Sequence, residues 1–192
     1  MSAINLISEN KGLEYAIKAV PEILKKVPNF VFLIVGETHP TVKKKYGEKY
    51  RAELERIVEE LKLGEHVKFI NRYLSLEELI DYLRATDFYI TPYLDPQQIA
   101  SGTLSYAVGA GKVCISTPYR YAQEVLNGNR GILVPFRDSN SISDAVLQVY
   151  RDKNYKQALE QEAYRFGRFM TWSSVALDYF DLFNLVLNKR HH

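Results

Sequence analysis

A chain of 192 residues with 46% hydrophobic and 12% aromatic content carries enough apolar material for one sizeable core, which excludes a disordered or low-complexity protein. Twenty-five Lys and Arg against 23 Asp and Glu leave a formal charge of +2, too little for a dedicated nucleic-acid surface. The single cysteine, Cys114, excludes an intrachain disulfide and a cysteine-built zinc site, so a cytoplasmic protein is expected, with neither a secretion signal in Met1-Ser2-Ala3-Ile4-Asn5 nor a run of the ~20 apolar residues that span a bilayer.

In chain order, Leu6-Ile7 reads as a strand stub, and residues 13–27 place Ala16, Ile17, Val20, Ile23 and Leu24 on one face of an amphipathic helix. The run Phe30-Val31-Phe32-Leu33-Ile34-Val35, closed by Gly36, predicts a strand buried on both faces. A charged helix is predicted over 42–63 with Gly64 as its cap, then a strand over Val67–Ile70. Ser75 with Glu78 three residues on forms a capping box for a helix over 76–85, and Phe88-Tyr89-Ile90-Thr91 is a fourth strand.

The loop Pro92-Tyr93-Leu94-Asp95-Pro96 leads to Ser101-Gly102-Thr103-Leu104, which opens a small-residue helix ending near Gly109 and Gly111. A strand over 113–116, a short helix over 122–126 and a strand over 131–134 follow, after which helices over 141–150, 156–169 and 173–188 complete the chain. Strands alternating with helices predict a Rossmann-like doubly wound parallel sheet, with ligands at the carboxyl ends of its strands.

Lys11-Gly12, Gly36, the stretch from Tyr93 to Ser101, the stretch from Ser101 to Lys112, Ser116-Thr117-Pro118, Gln123-Glu124-Val125-Leu126 and Gly131-Ile132-Leu133-Val134-Pro135 stand in a telling order. Together they resemble the C-terminal, nucleotide-sugar-binding domain of family-four glycosyltransferases, one half of the GT-B fold. The resemblance runs over nearly the whole chain. It implies a single domain over 1–192, whose C-terminal helices, about 154–190, pack on it or cross to a missing N-terminal acceptor domain.

The resemblance implies transfer of a sugar from a nucleotide diphosphate donor to an acceptor hydroxyl, with retained configuration and with neither metal nor other cofactor. Its expected partners are a nucleotide sugar and, through the missing domain, an acceptor glycan or lipid. No nucleic acid and no transmembrane segment are expected. The enzyme would be cytoplasmic, at the membrane surface when full-length, and this chain inactive alone. A non-catalytic nucleotide or sugar-phosphate binding module is the alternative.

Lys11 stands just before a helix, where its ammonium can meet a diphosphate, and the family's lysine at this position binds donor phosphates; the family's arginine five residues earlier is here Leu6. At Ser101, Gly102, Thr103 and Leu104 the unpaired N–H groups of a helix start can hold the same phosphates, although an ordinary Ser101 cap is equally available. Aligned on Gly111, the family's two glutamates seven residues apart become Gln98 and Tyr106. Gln98 can still hydrogen-bond a sugar, whereas Tyr106 is a weak substitute for a ribose-gripping carboxylate or else a packing aromatic. Glu124 matches a family glutamate and reads as a helix-start carboxylate, and Arg72 and Tyr73 match the stretch beside the base. His39 reads as a loop histidine, Lys43-Lys44-Lys45 as a solvated helix face, and His191-His192 as tail.

Overall fold

The computed structural model describes residues 1–188. Six short parallel strands, β1 (Ser2–Ile4), β2 (Phe32–Val35), β3 (Val67–Ile70), β4 (Phe88–Thr91), β5 (Val113–Ser116) and β6 (Ile132–Leu133), form one sheet in the order β3-β2-β1-β4-β5-β6. This is the doubly wound order expected from the alternation of elements. Because helices cover both faces, side chains of both directions are buried throughout β1, β4 and β5, whereas the edge strands β3 and β6 expose Lys68 and Leu133. Phe32, Ile34, Ile90 and Ile115 join one core, with α1 (Leu13–Leu24) and α7 (Ser139–Arg151), while Val35, Tyr89 and Cys114 join the other, with α4 (Leu76–Ala85), α5 (Gly102–Gly109) and α8 (Lys153–Phe169).

Several boundaries differ from expectation for identifiable reasons. The first strand is Ser2–Ile4, which pairs in register with Leu33, Ile34 and Val35, whereas Leu6-Ile7 contributes only an isolated bridge from Ile7 to Thr38. The helix expected over 42–63 is two helices, α2 (Pro40–Tyr46) and α3 (Lys49–Glu60), broken where Gly47 takes φ 64° and ψ −140°. At the end of α3 the left-handed residue is Lys62, not Gly64, so that Leu63 can bury its side chain and donate to the Val58 carbonyl at 2.8 Å. The Ser75–Glu78 capping box forms as read.

The remaining helices are α6 (Arg120–Val125) and α9 (Trp172–Asn188). α8 buries Leu159, Ala163 and Gly167 against the domain, but none of residues 172–187 is buried, and Trp172 is 90% exposed. α9 therefore presents Leu177, Phe180, Phe183 and Leu187 without cover. The expected His191-His192 tail lies outside the described residues.

Candidate functional site

The strand order reverses between β1 and β4, so the crevice to inspect lies outside their carboxyl ends. The two loops that leave these strands touch backbone to backbone. Leu94 N–H donates to the Asn10 carbonyl at 2.8 Å, and Gly12 takes φ 59° so close to the second loop that a Cβ would fall 2.2 Å from the Pro92 carbonyl oxygen. Only glycine meets both conditions cheaply. This junction sets Lys11, in a 3-10 turn ahead of α1, over Tyr93, with its ammonium 3.8 Å from the ring centroid. Burial pushes the Lys11 pKa down, and among the described residues no carboxylate offsets that shift. An unpaired, partly desolvated cation at a switch point is a group prepared for an anion.

Tyr93 is fixed from below. Its ring stacks on Tyr119 at 5.1 Å, its carbonyl accepts from Thr117 Oγ1 at 2.5 Å, and Tyr119 donates to Thr91 Oγ1, itself bonded to Ser116. Tyr89 reaches across the switch point to the Ile4 carbonyl. Burial raises the Tyr93 phenol, and hydrogen bonding from Ser101 and Thr103 opposes that rise. Tyr93 thus joins Lys11 to the start of α5, a role the sequence reading did not assign to it. The available signal was the tyrosine pair Tyr89 and Tyr93 flanking the end of one strand.

At that helix start the four residues divide. Ser101 caps α5 by accepting from Leu104 N–H at 3.4 Å, and the Leu104 side chain is fully buried. The Leu104 N–H is thus taken by the Ser101 hydroxyl, a cap that leaves the Ser101 N–H out of the pairing. The N–H groups of Gly102 and Thr103 have no partner within the helix; Gly102 is exposed, with nothing within 4 Å of where a Cβ would stand, and Thr103 is half-buried.

Thr103 also lines an adjoining crevice of about 260 Å³ with Arg72, Tyr73 and Asn5, floored by Ile4 and Val35. Arg72 is held by Glu78, whose carboxylate raises the Arg72 pKa while the Ser75 backbone N–H and Arg72 lower that of Glu78. The crevice thus brings together Thr103, Arg72 and Tyr73 from the expected set. It does not include Gln98, Tyr106 or Glu124.

Gln98 is used by its own loop, its Nε2 donating to the Ala100 carbonyl at 2.8 Å. Tyr106 is 46% exposed on α5, which removes the packing-aromatic reading. Tyr106→Ala is accordingly expected to change unfolding free energy by no more than about 0.5 kcal/mol, read from denaturant midpoints, and a loss of several kcal/mol would contradict this exposure. Glu124 is not at a helix start. The turn through Pro118 ends at Tyr119, α6 begins at Arg120, and Glu124 falls in the last turn, where the dipole disfavours a carboxylate.

His39 caps α2 by accepting from Thr41 N–H, Lys43, Lys44 and Lys45 are exposed, and the buried Cys114 thiol is pushed far up and unreactive. Among the described residues no three His, Cys, Asp or Glu side chains are placed to hold a metal ion. A larger cavity of about 770 Å³ lies at the opposite, amino edge of the sheet, beside Phe30, Asp87 and Lys156.

The family model described as glycosyl transferases group 1 matches residues 3–152. The GDP-mannose-dependent alpha-(1-6)-phosphatidylinositol monomannoside mannosyltransferase of Mycolicibacterium smegmatis is 26% identical over 155 residues, which are 78% of this chain and 38% of that protein. The chain thus spans less than two thirds of that relative's length. Among solved structures, the C-terminal domain of the glycosyl transferase group 1 family protein LpcC from Francisella tularensis superposes with a TM-score of 0.74 at 22% identity, over 86% of this chain and 82% of that one. Sucrose-phosphate synthase from Thermosynechococcus elongatus gives 0.79 at 20% identity, over 98% and 45%. Anabaena HepE in complex with UDP and glucose gives 0.77 at 17% identity, over 96% and 47%.

Proposed function

The chain belongs to the group 1 glycosyl transferases, and we propose that it is the half that binds the nucleotide-sugar donor. The observation carrying this reading is that Tyr93 lies under the unpaired Lys11 ammonium and its hydroxyl meets Ser101 and Thr103 at the start of α5, where the N–H groups of Gly102 and Thr103 have no partner within the helix. Two donors of positive potential from loops distant in sequence suit a diphosphate. HepE, which has this fold, binds UDP, and the mycobacterial relative is named for GDP-mannose, so a nucleoside diphosphate is common to both.

In this reading the bond between the sugar's anomeric carbon and the diphosphate oxygen breaks, the acceptor oxygen bonds that carbon with retained configuration, and the acceptor's proton passes to the departing diphosphate. Lys11, Gly102 and Thr103 stabilise the charge that develops on the leaving diphosphate, with no metal in the step. Arg72 and Tyr73 flank the nucleoside. The domain spans 1–192, and the uncovered face of α9 packs on an acceptor-binding half that brings a glycan or lipid hydroxyl to the donor. We place the enzyme in the cytoplasm, at the membrane surface when complete; no helix among the described residues is long and apolar enough to cross a membrane.

A second reading, a non-catalytic nucleotide or sugar-phosphate binding module, is favoured by Gln98 and Tyr106, neither of which is acidic or lines the crevice. Transfer assays separate the two. The 192-residue chain should bind UDP-glucose or GDP-mannose yet transfer no sugar, and fusion to an acceptor-binding half should yield a glycosylated product by mass. Robust transfer by the chain alone would contradict the half-enzyme reading. Donor binding without transfer by the fusion would select the non-catalytic module.

A further inference from the structure

The loop after β1 holds a polar group that nothing in the protein uses. Asn5 directly follows Ile4. Its N–H donates to the Val35 carbonyl at 3.0 Å, and its own carbonyl lies so close to Gly36 that a Cβ there would come within 1.9 Å of it. The backbone is held on the β2 side by this contact. Asn5 lines the crevice together with Thr103, Arg72 and Tyr73, and its Nδ2 is buried with no hydrogen-bond partner among the described residues.

Buried amide donors are normally satisfied, and one left unpaired destabilises the free domain. The other unpaired buried atoms among the described residues belong to Arg51 and Arg130, and both guanidiniums already donate elsewhere, to the Gly36 and Glu124 carbonyls. Asn5 differs in that it lines an open crevice and its amide nitrogen makes no hydrogen bond at all.

We propose that Asn5 reads the ligand, its carboxamide N–H donating to an acceptor oxygen at the nucleoside end of a bound nucleoside diphosphate. The nucleoside end follows from the layout. Thr103 belongs to the helix start assigned to the diphosphate, and the same crevice holds Arg72 and Tyr73 with the apolar Ile4, Val35, Leu74 and Leu79, a lining that suits a flat base. The inference rests on the donor-binding reading above.

Calorimetric titration of UDP and of GDP into the 192-residue chain tests it, with Asn5→Ala and the near-isosteric Asn5→Leu, each also measured for its unfolding midpoint without nucleotide. Both variants should bind the preferred nucleotide about three- to tenfold more weakly, the range of one neutral hydrogen bond. Their midpoints should be unchanged or raised, because an unpaired donor has been removed. Unchanged affinity overturns the proposal, and so does a lowered midpoint in both variants, which would mark Asn5 as structural. If the unsubstituted chain binds neither nucleotide, the donor-binding reading falls and this proposal with it. If it binds and the variants match it, only the role of Asn5 falls.

Discussion

Replacing Lys11 by methionine is expected to weaken nucleoside diphosphate binding by about 1 to 3 kcal/mol, the worth of a hydrogen bond to a charged group, without lowering the stability of the free domain. Methionine keeps the apolar stem over Tyr93 and removes only the charge. The stability half of this expectation has a definite sign. Burial lowers the folded-state pKa of Lys11 below 10.5, so in the alkaline window between the folded and unfolded values the unfolded chain holds the extra proton. Stability therefore rises with pH through that window in the unsubstituted chain and loses this rise in Lys11→Met. Binding has the opposite sign, because a diphosphate prefers the charged ammonium. Nucleotide affinity should fall as pH rises through the folded pKa of Lys11, and the variant should lack that dependence. Calorimetry across the alkaline range checks both, and equal affinities in the two proteins would remove Lys11 from the site.

Gly12→Ala is expected to be the most damaging small substitution near the crevice. The left-handed φ of 59° costs alanine about 1 to 2 kcal/mol, and the added methyl meets the Pro92 carbonyl at 2.2 Å, a backbone atom that no rotamer change can move. The loops after β1 and β4 must part, and Lys11 leaves Tyr93. A loss of roughly 3 kcal/mol in unfolding free energy is expected, with nucleotide binding abolished or nearly so. Gly102→Ala is the matched control. Its methyl meets nothing within 4 Å and its φ is not positive, so stability should hold while access to the helix-start amides narrows. Equal midpoints for Gly12→Ala and the unsubstituted chain would mean that the two loops do not meet.

Strands β2, β4 and β5 are legible in the sequence because each is an apolar run covered on both faces, a pattern that survives without any knowledge of partners, and the edge strand β3 is legible from Val67, Phe69 and Ile70 around an exposed Lys68. β1 is not. Ser2-Ala3-Ile4 is too short and too mixed to stand out, and its identity comes from pairing with Leu33, Ile34 and Val35. The break at Gly47 is hidden for a related reason, since the exposed α2 has no apolar stripe whose interruption would mark it. Glu124 was misread because a six-residue helix has too little periodicity to show where it begins.

The site divides in the same way. Lys11 and the α5 start are legible, because a cation before one helix and a cap before another are local patterns. Tyr93 and Asn5 are not, since their roles depend on a ring stacked from another loop and on a donor left unpaired by the fold. The pairing at the α5 start was equally hidden, because only the cap geometry shows that the Leu104 N–H is taken by the Ser101 hydroxyl while the N–H groups of Gly102 and Thr103 stay without a helix partner.

A crystal structure of the chain with bound UDP or GDP tests the central claim most directly. The account predicts diphosphate oxygens about 3 Å from Lys11 Nζ and from the N–H groups of Gly102 and Thr103, with the nucleoside in the crevice beside Asn5, Arg72 and Tyr73. A nucleotide seated instead in the cavity of about 770 Å³ at the amino edge of the sheet, with Lys11 untouched over Tyr93, would contradict it.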